Sequence, residues 1–336
     1  MIIPCGCIDV MTLKVATMKL TKTFKEINKN DAAIAGGKGA SLGEMTQAGI
    51  PVPPGFVVLA DTFERFIQET DLDVEIDAIL HTVDHKEIHT VEEASERIQK
   101  LILEAKMPPD IASVIGKEFE RLGAEFVAVR SSATAEDSAS AAWAGQLDSF
   151  LNTTEKDLLE KVQRCWASLF TPRAIFYRFE KELHLTKISV AVVVQKMVES
   201  EVAGIAFSVH PVTEDRNQLI IEAALGLGEA VVSGQITPDS YVVHKNDRRI
   251  LDKNVVTQER GLFKKEGGKG GNEWREVPAS EGEKQTLSDE EIFKLSELII
   301  NIEKHYGFPC DIEWAREKGK FYIVQSRPIT TLKSLG

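Results

Sequence analysis

Long apolar runs are missing from this 336-residue sequence. None approaches the roughly 18 consecutive apolar residues that a membrane-spanning helix needs, so no segment of it reads as one. Cysteine is scarce as well. Cys5, Cys7, Cys165 and Cys310 are too few and too scattered for a disulfide framework, and Cys5-Gly6-Cys7 lacks the CxxC spacing of a zinc knuckle or redox pair. A reduced, cytoplasmic setting is the expectation. Positive charge is in deficit: 40 Lys+Arg face 52 Asp+Glu, a net charge of −12. Such a chain is a poor candidate for tracking a nucleic-acid backbone or an anionic membrane, and neither partner is expected. An anionic ligand must instead be held by a few local Lys and Arg. Residues 1–17 have no basic n-region, and Asp9 and Lys14 break their apolar stretch, so they are not a secretory signal. They read as a disordered extension ahead of Met18.

What remains is ordinary globular usage, 43% hydrophobic and 27% charged, long enough for two domains. Helical periodicity dominates early. Asp61 is placed to cap a helix whose Phe63, Phe66 and Ile67 share a face. Residues 92–106 and 110–122 repeat that spacing, and 155–181 read as one long helix packed through Trp166, Phe170, Phe176 and Tyr177. Strands follow a first short one at 126–130: 189–198, 203–208, 218–224 and 240–244. The glycine-rich stretch 261–285 reads as an exposed loop. Ser288 with Glu291 forms a capping box ahead of the stripe Ile292, Leu295, Ile299 and Ile302. The chain closes on a hairpin, DIEWA-REKGK-FYIVQSRP. The fold class expected is α+β, with a boundary near 185–200.

Several stretches are equipped for chemistry. Gly36-Gly37-Lys38-Gly39-Ala40-Ser41-Leu42-Gly43 is not a Walker A loop, because Ala32 stands where the first Gly is required and Gly39 where Ser/Thr is. Glycines around a lysine at the opening of a helix still suit an anion; the other reading is a plain Gly-rich turn. Arg130 ends a buried strand and feeds the small, hydroxylic run Ser131-Ser132-Ala133-Thr134. That is a guanidinium fork and a close backbone for phosphate oxygens, or else a surface loop. In the hairpin, a turn near Gly319 sets Glu313 opposite Gln325 and Asp311 opposite Arg327, with Phe321, Ile323, Gln325 and Arg327 on one face. A carboxylate and an amide oxygen together suit Mg²⁺, while a solvated polar ladder is the competing explanation.

Weaker signals complete the set. Glu222 precedes the glycine junction Gly226-Leu227-Gly228 and is either part of a site or of a β-bend. Gln195 and Met197 share one face of a strand whose valines face the other way, open to an adenine pocket or to core packing. His81, His85 and His89 mimic a metal-binding helix face, but their polar neighbours favour a solvated segment. Gly267-Gly268-Lys269-Gly270-Gly271 follows no strand and reads as a linker.

Taken jointly, the blocks GGKGASLGEM (36–45), GIPVPPGFVV (49–58), VRSSATAED (129–137), AGQLDSFLN (144–152), GLGEAVVSG (226–234), IEKHYGFPCDIEW (302–314) and FYIVQSRPIT (321–330) resemble the nucleotide-binding domain of the phosphoenolpyruvate synthase / pyruvate phosphate dikinase family, which includes rifampicin phosphotransferase. They run in family order over residues 20–332. The resemblance implies an ATP-grasp-type fold with ATP between an N-terminal (18–190) and a C-terminal (191–333) subdomain. It implies that Lys38 and Arg130 hold phosphates as the catalytic pair, that Gly145 and Ser149 lie in a loop over ATP, and that Gln195 lies near adenine. Glu313 and Gln325 would hold Mg²⁺, with Arg327 and Asp311 beside them; Glu222 is a cofactor-binding candidate on its own strand-to-glycine junction.

Two departures stand out. Ser138-Ala139-Ser140-Ala141-Ala142-Trp143 replaces the family's usual Leu-Pro-x-Ala-Ser-Phe, and Leu225 replaces a usual aromatic. The Thr-Ser-His-Ala-Ala type phosphohistidine motif does not occur at any of the seven histidines. The implied function is the ATP-binding part of a pyruvate, water dikinase that passes the β-phosphoryl group to a phosphohistidine on a separate domain or chain. The alternatives are the equivalent part of a rifampicin-type phosphotransferase and a non-catalytic nucleotide-binding module.

Overall fold

The computed structural model describes residues 19–134, 148–180, 188–330 and 332. The extension 1–17 and Gly145 of the expected ATP-covering loop lie outside these residues. The first half of the chain gives β1 (Thr21–Thr23), α1 (Ala32–Gln47), β2 (Gly55–Val58), α2 (Ala60–Glu69), α3 (Leu72–Leu80), α4 (Ile88–Glu104), α5 (Pro109–Leu122), β3 (Val127–Ala133), β4 (Ser149–Thr153), α6 (Leu158–Ala167) and α7 (Pro172–Glu180). The second half gives β5 (Val190–Lys196), β6 (Val202–Phe207), β7 (Gln218–Leu225), α8 (Glu229–Val232), β8 (Asp239–His244) and β9 (Arg249–Asn254). It closes with β10 (Arg260–Lys264), β11 (Asn272–Glu276), α9 (Ala279–Gly282), α10 (Asp289–Tyr306), β12 (Cys310–Glu317) and β13 (Lys320–Pro328).

Two antiparallel sheets organise the α+β fold. The first runs β1-β2-β5-β3-β4 and the second β13-β12-β6-β7-β8-β9. The chain changes sheet between Lys196 and Val202, so that β5 belongs to the first sheet. β5 is central to the first sheet and covered on both faces. Val190, Val192 and Val194 pack among the helices, while Ala191 and Val193 face the second core. β-branched residues suit such a strand on either face. Its valines therefore do not all point away from Gln195, as the sequence reading supposed.

The first core is roofed by Phe66, Ile98, Ile115 and Trp166 from α2, α4, α5 and α6. The second is shared between the sheets: Leu42 and Met45 of α1, Val57 and Val193 of the first sheet, Ile221, Ile312 and Trp314 of the second, and Ile292, Leu295, Ile299 and Ile302 of α10. Each of these side chains, fully buried, contributes about 1.5–3 kcal/mol. One apolar body thus fixes how the sheets face each other. The Ser288/Glu291 capping box opens α10, and Gly307, at φ 76°, ends it.

Other local expectations are revised too. Residues 155–181 are not one helix: Pro172 cannot donate to a continuing ladder and holds Thr171 extended, so α6 and α7 are separate. Leu59 occupies the cap position of α2, and Asp61 sits within its first turn. The stretch 261–285 includes β10 and β11, a hairpin whose register is Leu262 to Trp274, with Gly267, Gly268, Gly270 and Gly271 at positive φ in its turn. Its charged side chains hid the strand pattern.

In the closing hairpin the pairs Glu313–Gln325 and Asp311–Arg327 form as read, but a bulge lies between them and Trp314–Ile323. The extra residue, Val324, shifts the alternation. Phe321 and Ile323 pack into the second core, and Val324 and Tyr322 pack on the opposite side with Ala315. The four residues expected on one face are therefore divided, Gln325 and Arg327 standing on the side of Glu313.

Candidate functional site

β3 brings the first functional side chain into place. Val127, Val129 and Ala133 point into the helical core, so Arg130, by strand alternation, points the other way, toward the second sheet. There its Nη2 donates to Glu313 Oε2 at 2.8 Å and to Gln325 Oε1 at 2.6 Å, and its Nη1 donates to the Val324 carbonyl at 3.0 Å. The bulge makes that last contact available, because Val324 has no ladder partner on β12. Arg130 thus joins the two sheets through three bonds.

The second sheet supplies polar groups along one row, interrupted by a single isoleucine. Gln325, Glu313, Ile205, Glu222 and Ser240 lie in register across β13, β12, β6, β7 and β8. One pair further along, Arg327 Nε donates to Asp311 Oδ2 at 2.8 Å. Burial above all, and the Asp311 charge second, push the Glu222 carboxyl above the ordinary carboxylate range. Burial also raises Asp311, against the pull of Arg327. For an acid whose pKa is raised by folding, the penalty is complete above the folded value and absent below the unfolded one. Glu222→Gln should therefore raise the thermal midpoint at pH 7, and the gain should vanish as pH falls below the ordinary carboxylate range. A series of melting curves from pH 3 to 8 checks this.

Lys38 reaches the same region from α1. Gly36, at φ 67° and ψ 167°, breaks the helix so that its second segment begins just before Lys38. The Gly36 backbone lies against the Ser132 carbonyl, Gly39 N–H donates to Ser132 Oγ at 3.3 Å, and Lys38 Nζ donates to the Ser131 carbonyl at 3.0 Å. One turn on, Ser41 Oγ donates to the Ser326 carbonyl at 2.8 Å, between Gln325 and Arg327. The glycine-rich helix is thereby set against both β3 and β13.

A cavity of 170 Å³ opens beside Arg130 and Glu313. Its walls are mainly apolar, including Met197, Leu227, Val232 and Val324, with Ser149 and Lys196 at its polar edge. Gln195 does not line it: the side chain is buried, with its amide 3.4 Å from the Pro53 carbonyl. Lys196 was missed in the sequence, although a cation directly after the run VAVVVQ was its available signal. Met197, read together with Gln195 as open to an adenine pocket or to core packing, does line the cavity.

The structure thus brings together Arg130, Glu313, Gln325, Asp311, Arg327 and Glu222, places Lys38 behind Ser131, and sets Ser149 opposite Arg130 in the β3–β4 register. His81 and His89 are exposed beside Asp77 and Glu87, and His85 stacks on Phe179. Cys165 and Cys310 are buried free thiols; burial pushes Cys310 up to about 12 and Cys165 further still.

The donor set fits a hard divalent cation. Glu313 Oε2 and Gln325 Oε1 converge on one cationic atom, Nη2 of Arg130, so two oxygens already surround a single positive centre. Mg²⁺ takes such oxygens and fills its other positions with water and phosphate. Among the described residues no group of three or more His, Cys, Asp or Glu side chains is arranged to hold a metal. Two protein oxygens leave the other positions of such a shell to water and to oxygens of a ligand.

The family model described as pyruvate phosphate dikinase, AMP/ATP-binding domain, matches residues 32–335. The chain is 49% identical over 331 residues to a probable phosphoenolpyruvate synthase of Methanocaldococcus jannaschii, covering 96% of this chain and 28% of that protein. It is 41% identical over 367 positions to phosphoenolpyruvate synthase of Pyrococcus furiosus, covering 94% and 44%. To rifampicin phosphotransferase of Bacillus subtilis it is 39% identical over 313 residues, covering 91% and 35%. The chain spans less than half the length of these relatives. With two facing antiparallel sheets of the ATP-grasp type and a match over almost its whole length, the chain belongs to the pyruvate phosphate dikinase AMP/ATP-binding domain family.

Proposed function

We propose that this chain is the ATP-binding part of a phosphoenolpyruvate synthase, seating Mg·ATP between its two sheets and presenting the β-phosphoryl group to a phosphohistidine on a separate domain or chain. The overall reaction converts pyruvate, ATP and water into phosphoenolpyruvate, AMP and phosphate. The observation that carries the reading is the convergence of Arg130, Glu313 and Gln325 across the sheet interface. Arg130 and Lys38 bind phosphate oxygens and hold the chain of phosphates in line; Arg327 balances the remaining charge. The apolar walls formed by Met197, Leu227 and Val232 accept the adenine ring and keep water from it. Glu313 and Gln325 would hold Mg²⁺, which when bound neutralises charge on the phosphates. In phosphoryl transfer a protein mostly positions groups and neutralises charge, and these residues suffice for both.

The acceptor nucleophile is not among them. Mg·ATP and pyruvate incubated with this chain alone should give no stoichiometric AMP and phosphoenolpyruvate; supplying a phosphohistidine-bearing domain should yield AMP, and phosphoenolpyruvate only when a pyruvate-binding acceptor domain is supplied as well. The rifampicin-type reading is kept as a second one because of the Bacillus subtilis relative. It predicts that phosphate transferred in the presence of that domain appears on the antibiotic.

A directed test lies in the metal pair. Glu313→Ala should weaken ATP binding about tenfold or more in the presence of Mg²⁺, the scale of one lost contact to a charged group, and hardly at all with EDTA. Calorimetry in both buffers checks it, and an equal loss in each would return Glu313 to a structural role.

A further inference from the structure

Arg130 stands where a phosphate contact belongs, yet its guanidinium is turned onto the two oxygens suited to a metal. One nitrogen, Nη2, serves both: Glu313 Oε2 at 2.8 Å and Gln325 Oε1 at 2.6 Å. The Arg130 side chain is 11% exposed and that of Glu313 21%, so bulk water screens neither charge well. The grip is reinforced by Nη1 on the Val324 carbonyl, which the bulge leaves unpaired. A divalent ion bound to both oxygens at about 2.0–2.1 Å would lie close beside Nη2, which already serves them at 2.8 and 2.6 Å, and the two positive centres would repel with little screening.

We infer that Arg130 is a specificity-determining residue that keeps a bare divalent cation out of the Glu313–Gln325 pair, admitting metal only together with a polyphosphate that draws the guanidinium away. The inference rests on the nucleotide reading above. A polyphosphate offers the guanidinium a planar fork partner at least as good as the carboxylate it leaves. It also brings the extra oxygens that two protein ligands cannot supply. Each charge stays paired through the exchange: guanidinium with carboxylate before, guanidinium with phosphate and carboxylate with metal after. Glu313 is never left alone in a part-buried place, where an uncompensated charge is costly. The site thereby selects the metal–nucleotide complex over free metal.

The test uses Mn²⁺ without nucleotide, followed by the loss of its free electron paramagnetic resonance signal. The chain carries many other carboxylates, so binding at this pair is defined as the part lost in Glu313→Gln. The native chain should show no such part at millimolar Mn²⁺. Arg130→Met and Arg130→Gln, checked for folding by circular dichroism, should each gain a site at least tenfold tighter, abolished by Glu313→Gln in the same background. Glu313-dependent Mn²⁺ binding in the native chain would overturn the inference, and that arm needs no variant to fold. A folded Arg130 variant that binds no tighter than the native chain would overturn it too. Mn·ATP is titrated on the same samples. Failure of the native chain to bind Mn·ATP would remove the nucleotide reading itself, whereas binding of both Mn·ATP and bare Mn²⁺ would remove only the exclusion role.

Discussion

Arg130→Ala is expected to slow AMP formation from Mg·ATP by about 100- to 1,000-fold when the chain is assayed with a phosphohistidine-bearing domain, the range found when one preorganised donor to developing charge is removed. Two consequences combine in that figure. The transferred group loses its guanidinium fork, and before nucleotide and metal arrive the chain loses the cation that holds β13 to β3 through Glu313, Gln325 and Val324. Arg130→Lys should recover only part of the rate, because an ammonium keeps the charge but not the planar fork. Chromatographic separation of AMP over the first turnovers gives the rate. A loss below tenfold would mean that Lys38 or Arg327 carries the phosphate contact without help.

Gly36→Ala should be the most damaging small substitution in the glycine-rich segment. At φ 67° an added Cβ would lie 2.4 Å from the Ser132 carbonyl oxygen and 2.1 Å from Ser132 Oγ. At φ 67° and ψ 167° the backbone is in a region open essentially to glycine alone, which costs another residue about 1–3 kcal/mol. Forced overpacking adds about 1–3 kcal/mol. A loss of about 2–6 kcal/mol is therefore expected in denaturant unfolding, with weakened ATP binding because the same kink sets Lys38 against Ser131. Gly49→Ala is the control. Its φ is 75°, but nothing lies within 4 Å of the added carbon, so only the backbone strain remains. Equal losses in the two variants would show that the close approach to Ser132 is unimportant.

Much of this site was legible because it depends on rules that act over a few residues. Strand alternation and a glycine turn were enough to pair Glu313 with Gln325 and Asp311 with Arg327. A capping box located the start of α10. Arg130 was recognisable as part of a buried strand, but that strand runs on to Ala133 instead of ending at the arginine, its partners lie more than 180 positions away, and nothing local says that its guanidinium grips Glu313 and Gln325. The bulge at Val324 was invisible for a related reason, since one extra residue changes no composition or propensity while redirecting every later side chain. Pro172 was a legible stop that the apolar spacing of 155–181 concealed. The β10–β11 hairpin escaped because Arg260 and Lys264 flank Leu262 on one face of β10 and β11 carries charges on both faces, so no apolar–polar alternation marks them.

The central claim is that the two sheets close on a nucleotide that brings its metal with it. Isothermal titration of the chain with ATP, once with excess Mg²⁺ and once with EDTA, tests it most directly. The account predicts one site per chain, tighter with Mg²⁺, and a folded state stabilised by about 2.7 kcal/mol when Mg·ATP reaches 100 times its dissociation constant. No detectable heat and no stabilisation at millimolar Mg·ATP would contradict it.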